Sequence, residues 1–497
     1  MQLPDGVLEG VISADGLVRT FKGIPYAAPP VGPLRWKPPQ AASPWTGVRK
    51  SVDYGARCMQ GPVYPDMVFH DDGPSEDCLY LNLWMPAHPR IKLPVMVWIY
   101  GGGFAAGSTS EPRQDGGNLS KKGVLVVSMN YRLGIFGFFT HPGPAEESEH
   151  HAAGNYGLLD QLAALKWVHR NIALFGGDPD NVTIFGESAG SFSVSALMAS
   201  PLSRGLFKRA IGESGAYFGP TLPLKPLAQA EADDVKFAES SLGTPSLAKL
   251  RAMPAGDLMR AAMKERIVRF APDVDGYFLP GSVASIFAGG RQVHIPLLAG
   301  WNRDEGSYRQ FFRKEEPTPE NYAASARSVF GEKAGTFLKL YPGKTAAEAK
   351  RSAQDFAGDR FIAYSTWKWI EMQVKTGDAP VYRYEFDDAP PLAKDAAAKP
   401  GQEPTAHHAA EIEFVFEALQ SKKLPWRAED RRVSDLMSSY WTNFAKTGDP
   451  NGPGLPRWPA YGGANNSPVM HFTAESQALP AQRHARYEFL DALWAQK

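Results

Sequence analysis

The 497 residues carry 53 basic and 53 acidic side chains, a formal net charge of zero, with 43% hydrophobic and 21% charged residues. Such a chain is long and apolar enough to bury a large core. It has no Lys/Arg-dense block to neutralise nucleic-acid phosphates and no apolar run of membrane-spanning length. The start, Met1-Gln2-Leu3-Pro4-Asp5-Gly6, lacks the basic and apolar regions of a signal peptide, as a processed mature chain also would.

Gly6–Ile12 and Leu17–Phe21 read as strands of a small N-terminal antiparallel meander, with Ala14-Asp15-Gly16 as the turn. Pro- and Gly-rich sequence from Gly23 to Pro39 must run as extended loop. Two cysteines, Cys58 and Cys78, flank a polar loop rich in Pro, Gly and Asp. Spacing alone leaves open a disulfide, which implies an oxidising compartment, or two free thiols. Leu79–Met85 alternates like a half-buried strand, whereas Pro94–Tyr100 is almost wholly apolar, as a strand covered on both faces should be. It runs straight into Gly101-Gly102-Gly103. Val124–Met129 is a second such strand.

From Leu158 to Asn171 apolar residues recur at helical spacing, and Gly176-Gly177-Asp178-Pro179 stops the segment. Val182–Phe185 is apolar again, ends in Gly186-Glu187-Ser188-Ala189-Gly190, and passes into the helix-compatible stretch Phe192–Met198. Helical excursions over roughly 220–290 and 310–376 flank the strand Ile295–Gly300. Val381–Phe386 is the last plausible sheet strand, Asp388–Pro404 reads as irregular loop, and 430–446 and 485–495 as helices. The alternation implies an α/β fold, a large, mostly parallel central sheet flanked by helices. With no repeat and no linker, one domain over 1–497 is expected.

Gly-x-Ser-x-Gly between an apolar strand and a helix is the grammar of a nucleophile elbow. The glycines at 186 and 190 remove side chains that would clash in a strained turn, and Ser188 is delivered to a helix N-terminus. Gly212-Glu213-Ser214-Gly215 also follows an apolar run, but its second Gly comes one residue early, so Ser214 reads as a supporting residue. Acyl transfer by a serine needs a base, a group orienting that base and oxyanion donors. The glycine run after Pro94–Tyr100 and the amide of Ala189 can supply the donors. Among the histidines, His150 and His151 lie in an acidic loop, His169 in a helix, and His88 and His294 beside strands near prolines. His407 and His408 combine a position just after the last plausible sheet strand with the chain order Ser…acid…His. For the acid, Glu305 in Asp304-Glu305-Gly306 competes with Asp387 and Asp388, since each follows a strand. No His/acid grouping, Glu149-His150-His151 included, matches a standard metal-ligand spacing.

Asn181–Gly190 resembles the elbow of the type-B carboxylesterases, a family that includes cholinesterases and fungal lipases. Phe21–Ala27, Ser75–Asn82, Trp98–Phe104, Asn130-Tyr131-Arg132, Gly157–Gln161, Phe175–Pro179 and Phe444–Asn451 extend the resemblance, in the family's order, over nearly the whole chain. The resemblance implies an α/β-hydrolase fold and a Ser188–His408–Glu305 triad, with Glu305 from the Asp-Glu-Gly block and His408 from the block His408–Phe416. It further implies oxyanion donors at Gly102, Gly103 and Ala189, a Cys58–Cys78 disulfide, and ion pairs Arg35–Glu76 and Arg132–Asp160. The loop between the cysteines contains no Trp, so a choline-type cation–π site is not implied.

The expected function is hydrolysis of small to medium soluble esters without metal or organic cofactor. The protein is then secreted or periplasmic if the cysteines are oxidised and cytoplasmic otherwise, as a monomer or weak homo-oligomer. A lipase using the cysteine-flanked loop as a lid is the alternative. A non-catalytic relative is the other, although such relatives have typically lost triad members. Tyr308 is expected to line the pocket, and Arg309 and Arg313 either greet an anionic substrate or form a solvated helix face.

Overall fold

The computed structural model describes residues 1–89, 91–265, 269–393, 403–463 and 467–494. Among them, one sheet contains eleven strands. These are β1 (Val11–Ile12), β2 (Val18–Pro25), β3 (Tyr80–Pro86), β4 (Leu93–Ile99), β5 (Leu125–Met129) and β6 (Gly177–Glu187), then β7 (Arg209–Glu213), β8 (Leu297–Asn302), β9 (Val381–Phe386), β10 (Pro468–Phe472) and β11 (Gln477–Pro480). Their spatial order is β11-β10-β9-β8-β7-β6-β4-β5-β3-β2-β1. Every neighbouring pair from β10 to β5 is parallel, and both edges are antiparallel. The Val- and Leu-rich β4 and β5 are buried at every residue, because helices cover a parallel sheet on both faces. Helices Tyr156–Asn171, Ala189–Ala199, Tyr364–Thr376 and Ala428–Thr447 pack against the strands.

Two expectations change. The run Gly6–Ile12 is not one strand. Gly6–Glu9 pairs antiparallel with Gln2–Leu3 and parallel with Val48–Lys50 in a small separate sheet, while Val11–Ile12 joins the large one. Gly10 is the crossing point, where a Cβ would meet the Thr20 carbonyl oxygen at 2.5 Å and the Phe21 ring at 2.6 Å. Nor is Val381–Phe386 the last strand. Short, Pro-bounded β10 and β11 extend the sheet beyond it, anchored by buried Val469, Met470 and Phe472. Residues 394–402 of the expected loop and residue 495 of the expected C-terminal helix lie outside the described residues.

Cys58 and Cys78 form a disulfide. Arg35 grips Glu76 through two hydrogen bonds of 2.7 Å each, and Arg132 pairs with Asp160 at 2.7 Å in full burial. Losing one member of such a buried pair costs about 3–5 kcal/mol. No described helix is long and apolar enough to cross a membrane.

Candidate active site

Topology gathers the candidate residues at the C-terminal ends of adjacent parallel strands, where open α/β sheets bind ligands. β4 ends in the glycine run, its neighbour β6 in Ser188, then β7 in Ser214 and β8 in the Glu305 turn. Ser188 has φ 52° and ψ −121°, a conformation costing about 1–3 kcal/mol for a residue with a side chain. The surroundings enforce it: the Ser188 N–H donates to the Glu213 carbonyl at 2.8 Å, and helix Ala189–Ala199 begins at the next residue. The flanking glycines are obligatory. A Cβ on Gly186 would lie 2.6 Å, and one on Gly190 1.9 Å, from the Ile99 carbonyl oxygen.

Gly102 and Gly103 have φ of 102° and 63°, and the Gly102 carbonyl closes the turn by accepting from Ala105 and Ala106. The amides of Gly102, Gly103 and Ala189 donate to no other group among the described residues. Gly102 and Gly103 line the cavity beside Ser188, and Ala189 follows Ser188 at the start of the helix.

His408 Nε2 lies 2.9 Å from Ser188 Oγ, and its Nδ1 lies 2.7 Å from Glu305 Oε2. The other Glu305 oxygen accepts from Ser214 Oγ at 2.6 Å and from the Asn302 N–H at 2.8 Å. The two distant loops meet through a parallel β-bridge between Asp304 and His407. In it the Asp304 N–H donates to Ala406 O, and Asn302 Nδ2 donates to His407 O. The competing acids are elsewhere: Asp387 bonds His471, and Asp388 pairs with Arg427.

A model of the carboxylesterase family matches residues 1–490. The chain belongs to the carboxylesterase family. It is 36% identical over 483 residues to fumonisin B1 esterase of Sphingopyxis macrogoltabida, covering 92% of this chain and 83% of that one. It is 38% identical over 464 residues to para-nitrobenzyl esterase of Bacillus subtilis (strain 168), covering 89% of each. A solved PNB esterase structure superposes with a TM-score of 0.81 at 35% identity, covering 97% of both chains. The protein is a carboxylesterase with the α/β-hydrolase fold.

Sequence reading missed the carboxyls packed beneath this line in the carboxylesterase. Glu187, Glu213 and Glu411 are all buried. Burial raises Glu187 to about 8 despite the pull of His408, and burial with Glu305 raises Glu411 to about 7. Burial lifts Glu213 well above the carboxylate range, although Trp441 Nε1 donates to it at 2.8 Å. For His408, burial disfavours the cation, yet Glu187, 3.3 Å from Nε2, and then Glu305 outweigh it and raise the imidazole to about 10. The signal was present, since Glu187 lies inside the elbow and Glu411 three residues after His408. A base must be neutral to act, so with His408 in that role, as proposed below, activity is expected to fall as pH drops through the titration of the coupled His408–Glu187 pair. Glu187→Gln removes the charge that favours imidazolium. The acidic limb of kcat/KM is expected to move down by about 1–3 pH units, with a lower plateau. A limb that stays put or moves up in the measured profile refutes the coupling.

Ser188 and His408 open onto a cavity of about 930 Å³. Phe361 and Ile362, from a π-helical turn at Asp359–Ala363, form one side, and the Phe361 ring packs edge-on to His408 at 5.2 Å. Tyr64, Asp66 and Met67 of the disulfide-closed loop form another. That loop is fastened to the glycine loop: Asp71 Oδ2 accepts from Ser108 and Ser110, and Gln60 exchanges two hydrogen bonds with Gly107. Tyr308, expected at the pocket, is not part of its lining. Its ring instead carries the Arg309 and Lys350 cations at 5.2 Å each, at the start of the short helix Arg309–Phe312. Arg309 and Arg313 are exposed and also absent from the lining. His88, His150, His151, His169 and His294 are exposed, and His407 lies at the rim beside His408.

Proposed function

We propose that this carboxylesterase cleaves small to medium soluble carboxylic esters through a serine acyl-enzyme. Ser188 Oγ attacks the ester carbonyl carbon while His408 Nε2 takes its proton, and Glu305 orients the imidazole and balances its positive charge. The oxyanion is held by the amides of Gly102, Gly103 and Ala189, each such donor contributing about 10²–10³ in rate. The C–O bond breaks as His408 returns the proton to the departing alkoxide, leaving an acyl-Ser188. Water, deprotonated by His408, then adds to the acyl carbon, and the bond to Ser188 Oγ breaks as His408 returns that proton to it, releasing the acid. No step calls on a metal or organic cofactor.

The observation that carries the reading is the 2.9 Å contact between His408 Nε2 and Ser188 Oγ at the cavity floor. Substrate size rests on the cavity volume and on a disulfide loop held by Asp71 and Gln60 as a fixed wall, which disfavours a lipase lid. The disulfide supports a secreted or periplasmic location.

A p-nitrophenyl ester series from acetyl to palmitoyl tests the assignment. The expected optimum lies among short to medium acyl chains, with no jump in rate when the ester aggregates. A long-chain optimum with interfacial activation would make the protein a lipase.

A further inference from the structure

The cavity that holds Ser188 reaches a second polar wall containing Thr140, Asp234, Arg269 and Asp273. Asp273 is 1% exposed. Its Oδ2 accepts from Thr140 Oγ1 and its Oδ1 from Asn155 Nδ2, each at 3.0 Å, and both donors are neutral. Among the described residues it has no ion-pair partner, although cations stand nearby. Arg269 pairs with Asp234 at 2.8 Å, donates to the Asp233 carbonyl and lies over the Phe270 ring, while Lys225 pairs with Asp233. The charges that act on Asp273 are of its own sign. Burial first, then Asp275, Asp234 and Glu231, push its carboxyl well above the ordinary range.

A carboxylate buried without a counter-charge is unfavourable, so this carboxyl holds its proton until a cation arrives to pair with it. Asp273 is also among the residues that line the cavity holding Ser188. Taking the esterase reading above as its basis, we propose that Asp273 is a specificity residue that receives a protonated amino group on the substrate. It favours amino-bearing esters over neutral isosteres of the same length. A cation arriving there gains a carboxylate partner in a site poor in water and restores the ionised form of that carboxyl. Asp273→Asn retains the size and one acceptor oxygen and removes the ionisable group.

The test compares kcat/KM for p-nitrophenyl ω-aminoalkanoates and alkanoates of matched length, and for matched aminoalkyl and alkyl butyrates. In the native enzyme the amino ester is expected to win by about tenfold or more at one spacing, chiefly through KM. In Asp273→Asn the ratio falls to about one. A flat ratio at every spacing in the native enzyme, or a preference that survives in the variant, overturns the proposal. Should the variant not fold, native protein titrated with alkylammonium ions and the matching alkanols gives the same decision by thermal shift. Stabilisation by the ammonium series alone supports the site, and equal responses overturn it. Native protein that cleaves neither neutral nor amino-bearing esters refutes the esterase reading, while the ammonium titration still decides the role of Asp273.

Discussion

Ser188→Ala is expected to lower kcat for ester hydrolysis by about 10⁶-fold, the scale at which a serine nucleophile and its base act as one unit. The fold should survive. Among the described residues the Ser188 hydroxyl bonds only His408 Nε2, and an alanine Cβ fills the same strained backbone position without a new contact. The thermal midpoint should therefore hold while turnover disappears, and covalent labelling by a fluorophosphonate should vanish with it. The residual activity expected is that of the oxyanion donors and binding alone. Hydrolysis at the native rate by a folded variant, or undiminished labelling, removes Ser188 from the reaction.

The second large effect belongs to Glu305→Gln, which changes one atom and should cost about 10⁴ in kcat. The reason lies in which groups hold each oxygen. Glu305 Oε1 accepts from Ser214 Oγ and from the Asn302 N–H, so an amide at this position keeps its oxygen there. Its NH₂ then faces His408 Nδ1, 2.7 Å away in the native arrangement. An Nδ1 that accepts a hydrogen bond forces the ring proton onto Nε2, the atom that must take the proton from Ser188. The variant would fold and bind ester with little change in KM yet turn over slowly. Near-native kcat in Glu305→Gln would show that the orientation of the ring does not depend on this carboxylate.

The elbow was readable because its chemistry is local: an apolar strand, two glycines and a helix start within a few residues, and the backbone spacing at Ile99 supplies the steric reason for both glycines. The acid was not readable from spacing. Asp387 and Glu305 follow strands alike, and only the partners brought in by other strands, His471 for one and His408 for the other, separate them. Burial of Glu187, Glu213 and Glu411 is likewise invisible in a pattern that counts carboxyls as polar. The split at Gly10 and the short strands after residue 467 escaped because each depends on a distant neighbour rather than on its own periodicity. Tyr308 was expected at the pocket from its closeness to Glu305 in sequence, but the intervening turn directs it to surface cations.

The fastening at Asp71 has a consequence for changing substrate preference. One carboxylate joins the disulfide-closed loop, which supplies Tyr64, Asp66 and Met67, to the loop that presents the Gly102 and Gly103 amides. A displacement of the loop that lines the cavity is therefore expected to be felt at the glycine loop as well. Reshaping the rim at Tyr64 or Met67 is expected to change fit alone, whereas lengthening the loop or replacing Asp71 is expected to change fit and turnover together.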